Sequence, residues 1–258
     1  MRLWARALAV LVAAAGPAVA GTVITSSMTM PQAAGGKSVV YLEPDRVRIE
    51  SQNSVTIFRA DQNTVYVLKP SEKTFIRVTP ETMKQVAAAM SAARAQLAQQ
   101  MKSMTPAERA KIEKMLPGAG AGAAQAPQFE FRKAGGTATF GKWSCERVEQ
   151  LADGRPQAQL CVARLSDLGL GPDDLAALRR FEAFMRQAMP GTAAAGAAID
   201  PQALRTVVGY EAYPVHSEIP GAGVQTTTET VEKKAIPADL FELPAGYREQ
   251  AMPAAPAR

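Results

Sequence analysis

The chain has 258 residues, a formal net charge of +5 and 47% hydrophobic residues, which is enough apolar material for one sizeable core. The positive charges are scattered among acidic residues and form no stripe, so the sequence does not favour nucleic-acid binding. Two cysteines and one histidine leave few ways to build a metal centre or a catalytic triad.

The first 20 residues have the pattern of a secretory signal peptide. Two arginines precede an apolar run over residues 7–15, and residues 18–20 form an A-x-A cleavage site. The run is too short to span a bilayer, which takes about 20 residues. The alternative to a signal peptide is a buried N-terminal helix. We expect cleavage between Ala20 and Gly21. The remaining chain would be periplasmic or secreted, with no lipid anchor and no transmembrane segment.

A series of short strand patterns follows the leader. Runs rich in β-branched and aromatic residues recur at even spacing and are separated by polar turn residues. They begin at Thr22, Lys37, Arg46, Val55, Thr64 and Thr74. This spacing predicts an antiparallel meander. Because Val47 and Ile49 alternate with Arg46 and Arg48, we expect one face of the meander to be apolar and the other to face water.

The first helical insertion is predicted over residues 80–116. Thr79 is a suitable N-cap, Pro80 suits the first turn, and a capping box at Thr105 begins a second short helix. Apolar side chains recur at helical spacing at Met83, Val86, Met90, Leu97 and Met101. Two interpretations remain open. The stripe packs on the sheet as core, or it is a lid over a groove for acyl chains, because methionine adapts to ligands of different shape.

The rest of the chain divides into a second helical insertion, two linkers and a tail. Acidic residues at the helix start favour a helix over residues 172–189. Segments rich in alanine and glycine at residues 117–127 and 190–201 are predicted to be flexible linkers, and residues 249–258 are predicted to be disordered. Further strand patterns lie at residues 128–133 and 137–143, in the cysteine hairpin, and at residues 213–219 and 224–233. We expect residues 21–248 to form a single domain.

The two cysteines lie in strand patterns on either side of residues 152–154. In an oxidising compartment two cysteines usually form one disulfide; a free or regulatory pair is the alternative, and a zinc site would need three or four ligands. A three-residue hairpin loop would pair Leu151 with Arg155, and equal steps would then bring Cys145 opposite Cys161. Directly opposed residues can have Cα atoms about 4.5–5.5 Å apart, within disulfide range.

Catalytic motifs are not recognisable in the sequence. Residues 36–38 resemble the end of a P-loop, but Pro31 stands where the first glycine is required and a strand pattern follows. There is no G-x-S-x-G or H-E-x-x-H motif. His216, close to Pro214, is expected to be a surface or strand residue. We therefore expect a protein that is not an enzyme and binds no cofactor or metal.

The order of these features resembles that of an exported family. The meander contains DRVRIE and VTIFRADQNTVYVLKPSEKTF, and the last strands are followed by IPADLFELPAGY. Together with the leader and the helical insertion, these segments resemble the uncharacterised domain-of-unknown-function 4412 family, which is distantly similar to the lipoprotein carrier LolA and the lipid-binding regulator RseB.

The resemblance implies an α+β fold, in which a curved antiparallel sheet forms a half-open β-barrel and helical insertions cover its concave face. It also implies a LolA-like apolar groove that binds lipid, acyl chains or lipoprotein, and it supplies no catalytic residue. Since related folds can differ in function, one alternative remains open. In that alternative the protein is a structural or interaction module of the cell envelope that meets a protein partner and binds no ligand.

Overall fold

The computed structural model describes residues 19–31, 33–105, 128–188 and 201–251. Within these ranges the strands are β1 Val19–Met30, β2 Ala33–Glu43, β3 Arg46–Ser51, β4 Ser54–Arg59, β5 Thr64–Lys69, β6 Thr74–Val78, β7 Phe129–Phe140, β8 Trp143–Ala152, β9 Arg155–Arg164, β10 Ala212–Ile219, β11 Val224–Ile236 and β12 Arg248–Glu249. The α-helices in the same ranges are α1 Pro80–Lys102, α2 Ala176–Ala188 and α3 Pro201–Val208. None of them is long and apolar enough to cross a membrane.

Several predicted segments lie outside the described residues. They are nearly all of the signal peptide, the second helix of the first insertion, the linker at 117–127 and the linker at 190–201 except for its last residue. These predictions stay predictions.

The described strands form one sheet in the order β12-β6-β5-β4-β3-β2-β1-β11-β10-β9-β8-β7. Strands β1 to β6 make one antiparallel meander and β7 to β11 make another, and the pairing of β1 with β11 joins them. β12 pairs with β6 in parallel, so Glu249 is a strand residue, although the sequence placed it in a disordered tail. The curved sheet is open at β7 and β12, which confirms the predicted α+β, half-open barrel class.

The largest apolar core lies on one face of the sheet, beneath α2. Phe181 and Phe184 of α2 pack on Phe58 of β4, with ring centroids 5.5 and 5.7 Å apart. The same cluster contains Ile24 of β1 and Val215 of β10, both fully buried. α2 therefore covers this face across the junction of the two meanders.

The opposite face of the first meander is covered by the C-terminal segment, which corrects the prediction that this face is in water. Ile57 of β4 and Phe241 are buried in one cluster there. The Arg46 guanidinium lies 4.8 Å from the centroid of the Phe241 ring, and Arg48 donates a hydrogen bond of 2.8 Å to the Leu240 carbonyl. The alternation of apolar and charged residues along β3 does not show that the C-terminal segment covers its charged face. Long arginine stems can pack on apolar surface while their guanidinium groups stay hydrogen-bonded.

The helix α3 was not predicted from the sequence. The second linker was predicted to end at Pro201, whereas Pro201 is the first residue of α3, a position that suits proline. Leu204 and Val208, one turn apart, are buried against Leu160 and Val162 of β9. A helix of eight residues has too few apolar positions for its periodicity to stand out.

The turn between β8 and β9 differs from the predicted three-residue loop. Asp153 and Gly154 have φ angles of 49° and 75°, as in the two-residue turns that match strand twist. Ala152, rather than Leu151, therefore pairs with Arg155. This turn moves the hairpin register by one residue from the expected one.

A second register shift lies beside Pro156, a residue that has no N–H for the ladder and is tolerated at bulges. Cys161 is therefore opposite Arg147 rather than Cys145. The two shifts together amount to two residues, and because side chains alternate with period two, both cysteines stay on the same face. Their Cα atoms are 5.3 Å apart and their sulfurs are bonded. The predicted disulfide is confirmed, and the predicted direct opposition of the cysteines is wrong.

Candidate ligand cavity

A cavity of about 400 Å³ lies between α2, α3 and the start of β10. Small-molecule sites in proteins typically have volumes of roughly 300–1,000 Å³. Leu178, Phe181 and Met185 of α2 form one wall, while Leu204 of α3 and Ala212 of β10 contribute to the others. The wall is mainly apolar, so the cavity can enclose an apolar ligand.

The spacing of residues on α2 explains why one helix both packs on the sheet and borders the cavity. Leu178, Phe181 and Met185 recur at three and four residues and so share one side of the helix. They are half-buried and line the cavity. Phe184 is buried against Phe58 and fixes the neighbouring side of the helix to the sheet.

Polar contacts hold the start of α2 in place. Asp174 accepts a hydrogen bond of 2.7 Å from the Gly171 N–H and forms an ion pair of 2.8 Å with Lys233 of β11. Burial alone would raise the pKa of Asp174, but these two donors outweigh burial and lower it. Arg180 also forms an ion pair with Asp45 beside β3. The wall of the cavity is therefore tied to both meanders.

Two of the charged groups at the cavity, Arg179 and Glu211, are paired, and Tyr213 is neutral. Burial raises the pKa of Tyr213 to about 12, and the nearby Glu182 carboxylate adds to the shift, so Tyr213 stays protonated at neutral pH. Arg179 donates to the Pro172 carbonyl, and Glu211 accepts from Arg205 of α3 at 3.0 Å. Tyr213 can donate or accept a hydrogen bond from a ligand, but it cannot act as a base at neutral pH.

A smaller cavity of about 270 Å³ adjoins the first and is more polar. Arg179, Pro201 and Glu211 line both cavities, and Arg186 and Gln202 line only the smaller one. The Nη1 atom of Arg186 is enclosed and has no hydrogen-bond partner among the described residues. The apolar space therefore adjoins a space bordered by two guanidinium groups.

Another cavity, of about 370 Å³, lies beside the disulfide. Three of its polar groups contact one another: Tyr210 donates to Glu146 at 3.1 Å, and the Arg164 guanidinium lies 3.9 Å from the centroid of the Tyr210 ring. Burial, followed by the hydrogen bond to Glu146, raises the pKa of Tyr210.

None of the described side chains of the methionine-rich stripe predicted on α1 lines the cavity beneath α2. Met83 packs against the main core, Val86 and Leu97 are half-buried, and Met101 is only 5% exposed. Met90 lies in α1, but its side chain is outside the described part of the structure. Most of the other described side chains of α1 are exposed. A groove covered by α1 stays a prediction.

The predicted cleavage site falls within β1. Ala20 pairs with Ala235 of β11, and Gly21 is closely packed: a Cβ atom there would lie 2.5 Å from the Leu42 carbonyl oxygen and 2.5 Å from Cδ1 of Ile236. A chain cleaved between Ala20 and Gly21 would begin in the middle of the sheet. Cleavage itself stays a prediction.

His216 lies in β10 and does not line the cavity beneath α2. Its ring stacks on Phe140, with centroids 3.8 Å apart, and Nδ1 lies 2.8 Å from Oγ1 of Thr227. Burial lowers the pKa of His216, partly opposed by Glu218. Within the described ranges, no three His, Cys, Asp or Glu side chains are placed to hold a metal ion.

Comparisons with known proteins find weak structural likeness. No protein-family model matches the chain, and no curated protein matches its sequence, so membership of the domain-of-unknown-function 4412 family stays a prediction. The structure of PNGF-II in the C2 space group is similar over 92% of this chain, with 8% identity and a TM-score of 0.39. The present chain spans only 31% of the length of that one.

A LolA superfamily protein, NE2245 from Nitrosomonas europaea, is similar over 88% of this chain and 91% of its own, with 10% identity and a TM-score of 0.27. The chain thus has a weak structural resemblance to a LolA-like protein. Both TM-scores lie below 0.5, so neither likeness identifies a function.

Proposed function

We propose that this protein is an exported binding protein, not an enzyme, which holds an acyl chain or a similarly apolar ligand between α2, α3 and β10. The observation that supports this function is the cavity of about 400 Å³ walled by Leu178, Phe181 and Met185. Concave apolar walls with a few polar groups are typical of small-molecule sites. Met185 adds adaptability, because an unbranched thioether can repack around different ligands.

Two features support export. The N-terminal sequence has the pattern of a signal peptide, and the buried Cys145–Cys161 disulfide is of the kind that persists in oxidising compartments. A periplasmic or secreted protein with an apolar cavity would hold a ligand that water solvates poorly. The absence of catalytic motifs from the sequence supports binding without conversion of the ligand.

The cavity beneath α2 is a better candidate than the groove predicted beneath α1. Its walls are fixed by Phe184 and by ion pairs to both meanders, whereas most described side chains of α1 are exposed. A preformed site binds with less loss of conformational freedom than one that must be assembled around the ligand.

The test uses N-phenyl-1-naphthylamine, a neutral apolar dye whose fluorescence rises in apolar surroundings, with protein that has been stripped of lipid and refolded. We expect saturable binding. Leu178→Trp adds bulk to the cavity wall and should weaken binding about tenfold or more, which corresponds to about 1.4 kcal/mol. Leu97→Trp is the matched control, because Leu97 is also a half-buried leucine on a helix but does not line this cavity.

Unfolding by urea is measured for both variants, so that loss of binding is not confused with loss of fold. If Leu97→Trp abolishes binding and Leu178→Trp does not, the ligand lies along α1 and the proposed site is wrong. If the folded wild-type protein shows no saturable binding, the carrier function is wrong. The remaining function would then be that of a structural or interaction module of the cell envelope.

A further inference from the structure

We infer that the ligand is a fatty acid, whose acyl chain occupies the apolar cavity and whose carboxylate lies between Arg179 and Arg186. This inference rests on the proposed function, because it adds a head-group site to the same cavity. It commits the protein to one class of ligand, a single chain with one negative charge at its end.

The arrangement of the two cavities suits a molecule with an apolar and a polar end. The larger space is walled by leucine, phenylalanine and methionine side chains, and the smaller one by arginine, glutamate and glutamine side chains. They share Arg179, Pro201 and Glu211, so a chain in the first cavity can place its charged end beside the second. A purely apolar ligand would leave the polar space unused.

Arg186 supplies the second guanidinium group at the smaller cavity. Its Nη1 atom is enclosed without a hydrogen-bond partner among the described residues, so this guanidinium has donor capacity that the protein does not use. Arg179 also lines the smaller cavity, and in the described structure one of its N–H groups donates to a carbonyl, that of Pro172. Guanidinium groups present a planar fork of donors that matches a carboxylate.

The charge at the two cavities favours one negative charge on the ligand. Arg179, Glu182 and Arg186 lie on one side of α2, at spacings of three and four residues. Glu211 lines both cavities and pairs with Arg205 at 3.0 Å. Among these described groups three are positive and two are negative, so one positive charge is left for the ligand. An ammonium head would instead be repelled by two guanidinium groups, and the carboxylate that lines the smaller cavity, Glu211, already pairs with Arg205.

The experiment measures displacement of N-phenyl-1-naphthylamine by three ligands of equal chain length: tetradecanoate, tetradecan-1-ol and tetradecylammonium, each below its micelle concentration, at pH 8 and low salt. We expect tetradecanoate to compete at a concentration about tenfold lower than either other ligand. Arg186→Met keeps an apolar stem of similar length and should remove most of this preference, while the affinity for the alcohol stays within about twofold.

Arg77→Met is the matched control, because Arg77 is an exposed arginine on β6, pairs with Glu249 and lines neither cavity. It should leave the preference for tetradecanoate unchanged. If the dye binds but the three ligands compete equally, or if Arg186→Met weakens all three alike, the head-group inference is overturned and the proposed function stands. If the dye does not bind, the proposed function fails and the inference fails with it.

Discussion

Removal of the Cys145–Cys161 disulfide should lower the free energy of unfolding by about 3 kcal/mol. The two cysteines are separated by 16 residues, and in the chain-entropy model a crosslink that closes a loop of about that length destabilises the unfolded chain by roughly 3 kcal/mol. The native state gives a reason to expect the full effect. Cys161 lies in a strand ladder opposite Arg147, so the hairpin keeps its shape after the bond is opened.

The assay compares three forms of the protein in urea: oxidised wild type, reduced wild type, and the variant with Cys145→Ala and Cys161→Ala. The reduced protein keeps both sulfur atoms in the core, so its loss of stability reports the crosslink alone. The double alanine variant should lose more, because both cysteines are buried and their sulfurs are removed from packed surroundings. For a chain of this size, a loss of about 3 kcal/mol lowers the melting temperature by roughly 6–12 °C.

A loss of less than about 1 kcal/mol on reduction would refute this reasoning. It would mean that residues 145 and 161 stay close together in the unfolded chain even without the bond. Thiol labelling of the denatured, unreduced protein should find no free thiol. Two labelled cysteines would show that the bond is absent from the protein in solution.

Three further changes test the packing and the titration of the sheet. Gly21→Ala places a Cβ 2.5 Å from a backbone carbonyl and should destabilise by about 1–3 kcal/mol in urea unfolding; Gly221→Ala, with nothing within 4 Å of its Cβ, is the control, and equal losses would contradict the argument. Phe241→Ala opens the cover over the first meander and should lose about 3–5 kcal/mol in the same measurement, whereas a loss below about 1 kcal/mol would mean that the segment covers little. His216 has a pKa lowered from 6.5 in the folded state, so the unfolded chain binds more protons and stability should fall as the pH drops from about 7 through the folded pKa. His216→Phe should flatten this slope, and an unchanged slope would assign the pH dependence to other groups.

The meander could be predicted from the sequence because its signals are local. Alternation with period two and polar turn residues both act over fewer than about ten residues, and strands β2 to β6 fall where these signals indicate. The water-facing side of β3 could not be predicted in the same way. The groups that cover Arg46 and Arg48 are Phe241 and Leu240, which lie far away in the sequence.

The disulfide was predicted correctly although the register behind it was wrong. The turn at Asp153 and Gly154 is two residues long rather than three, and the bulge beside Pro156 adds a second shift. Each shift alone would have moved one cysteine to the other face of the sheet. Because the two one-residue shifts add to two residues, both cysteines still lie on the same face of the sheet. Cys145 and Cys161 are therefore bonded diagonally rather than directly across the ladder.

The cavity could not be predicted from the sequence. The spacing of Leu178, Phe181 and Met185 gives α2 an apolar face, but the same spacing describes a helix that is packed tightly on a sheet. What separates a core from a cavity is the position of Leu204 on α3 and Ala212 on β10. The sequence did not predict α3, and only its first residue, Pro201, fell in a segment assigned to a linker. The groove beneath α1 was predicted only from the chemistry of its methionine side chains. The position of α2 is set by Phe184 and by the ion pairs described above. The comparison of Leu178→Trp with Leu97→Trp therefore tests whether the ligand binds in the cavity beside α2 or along the methionine-rich helix α1.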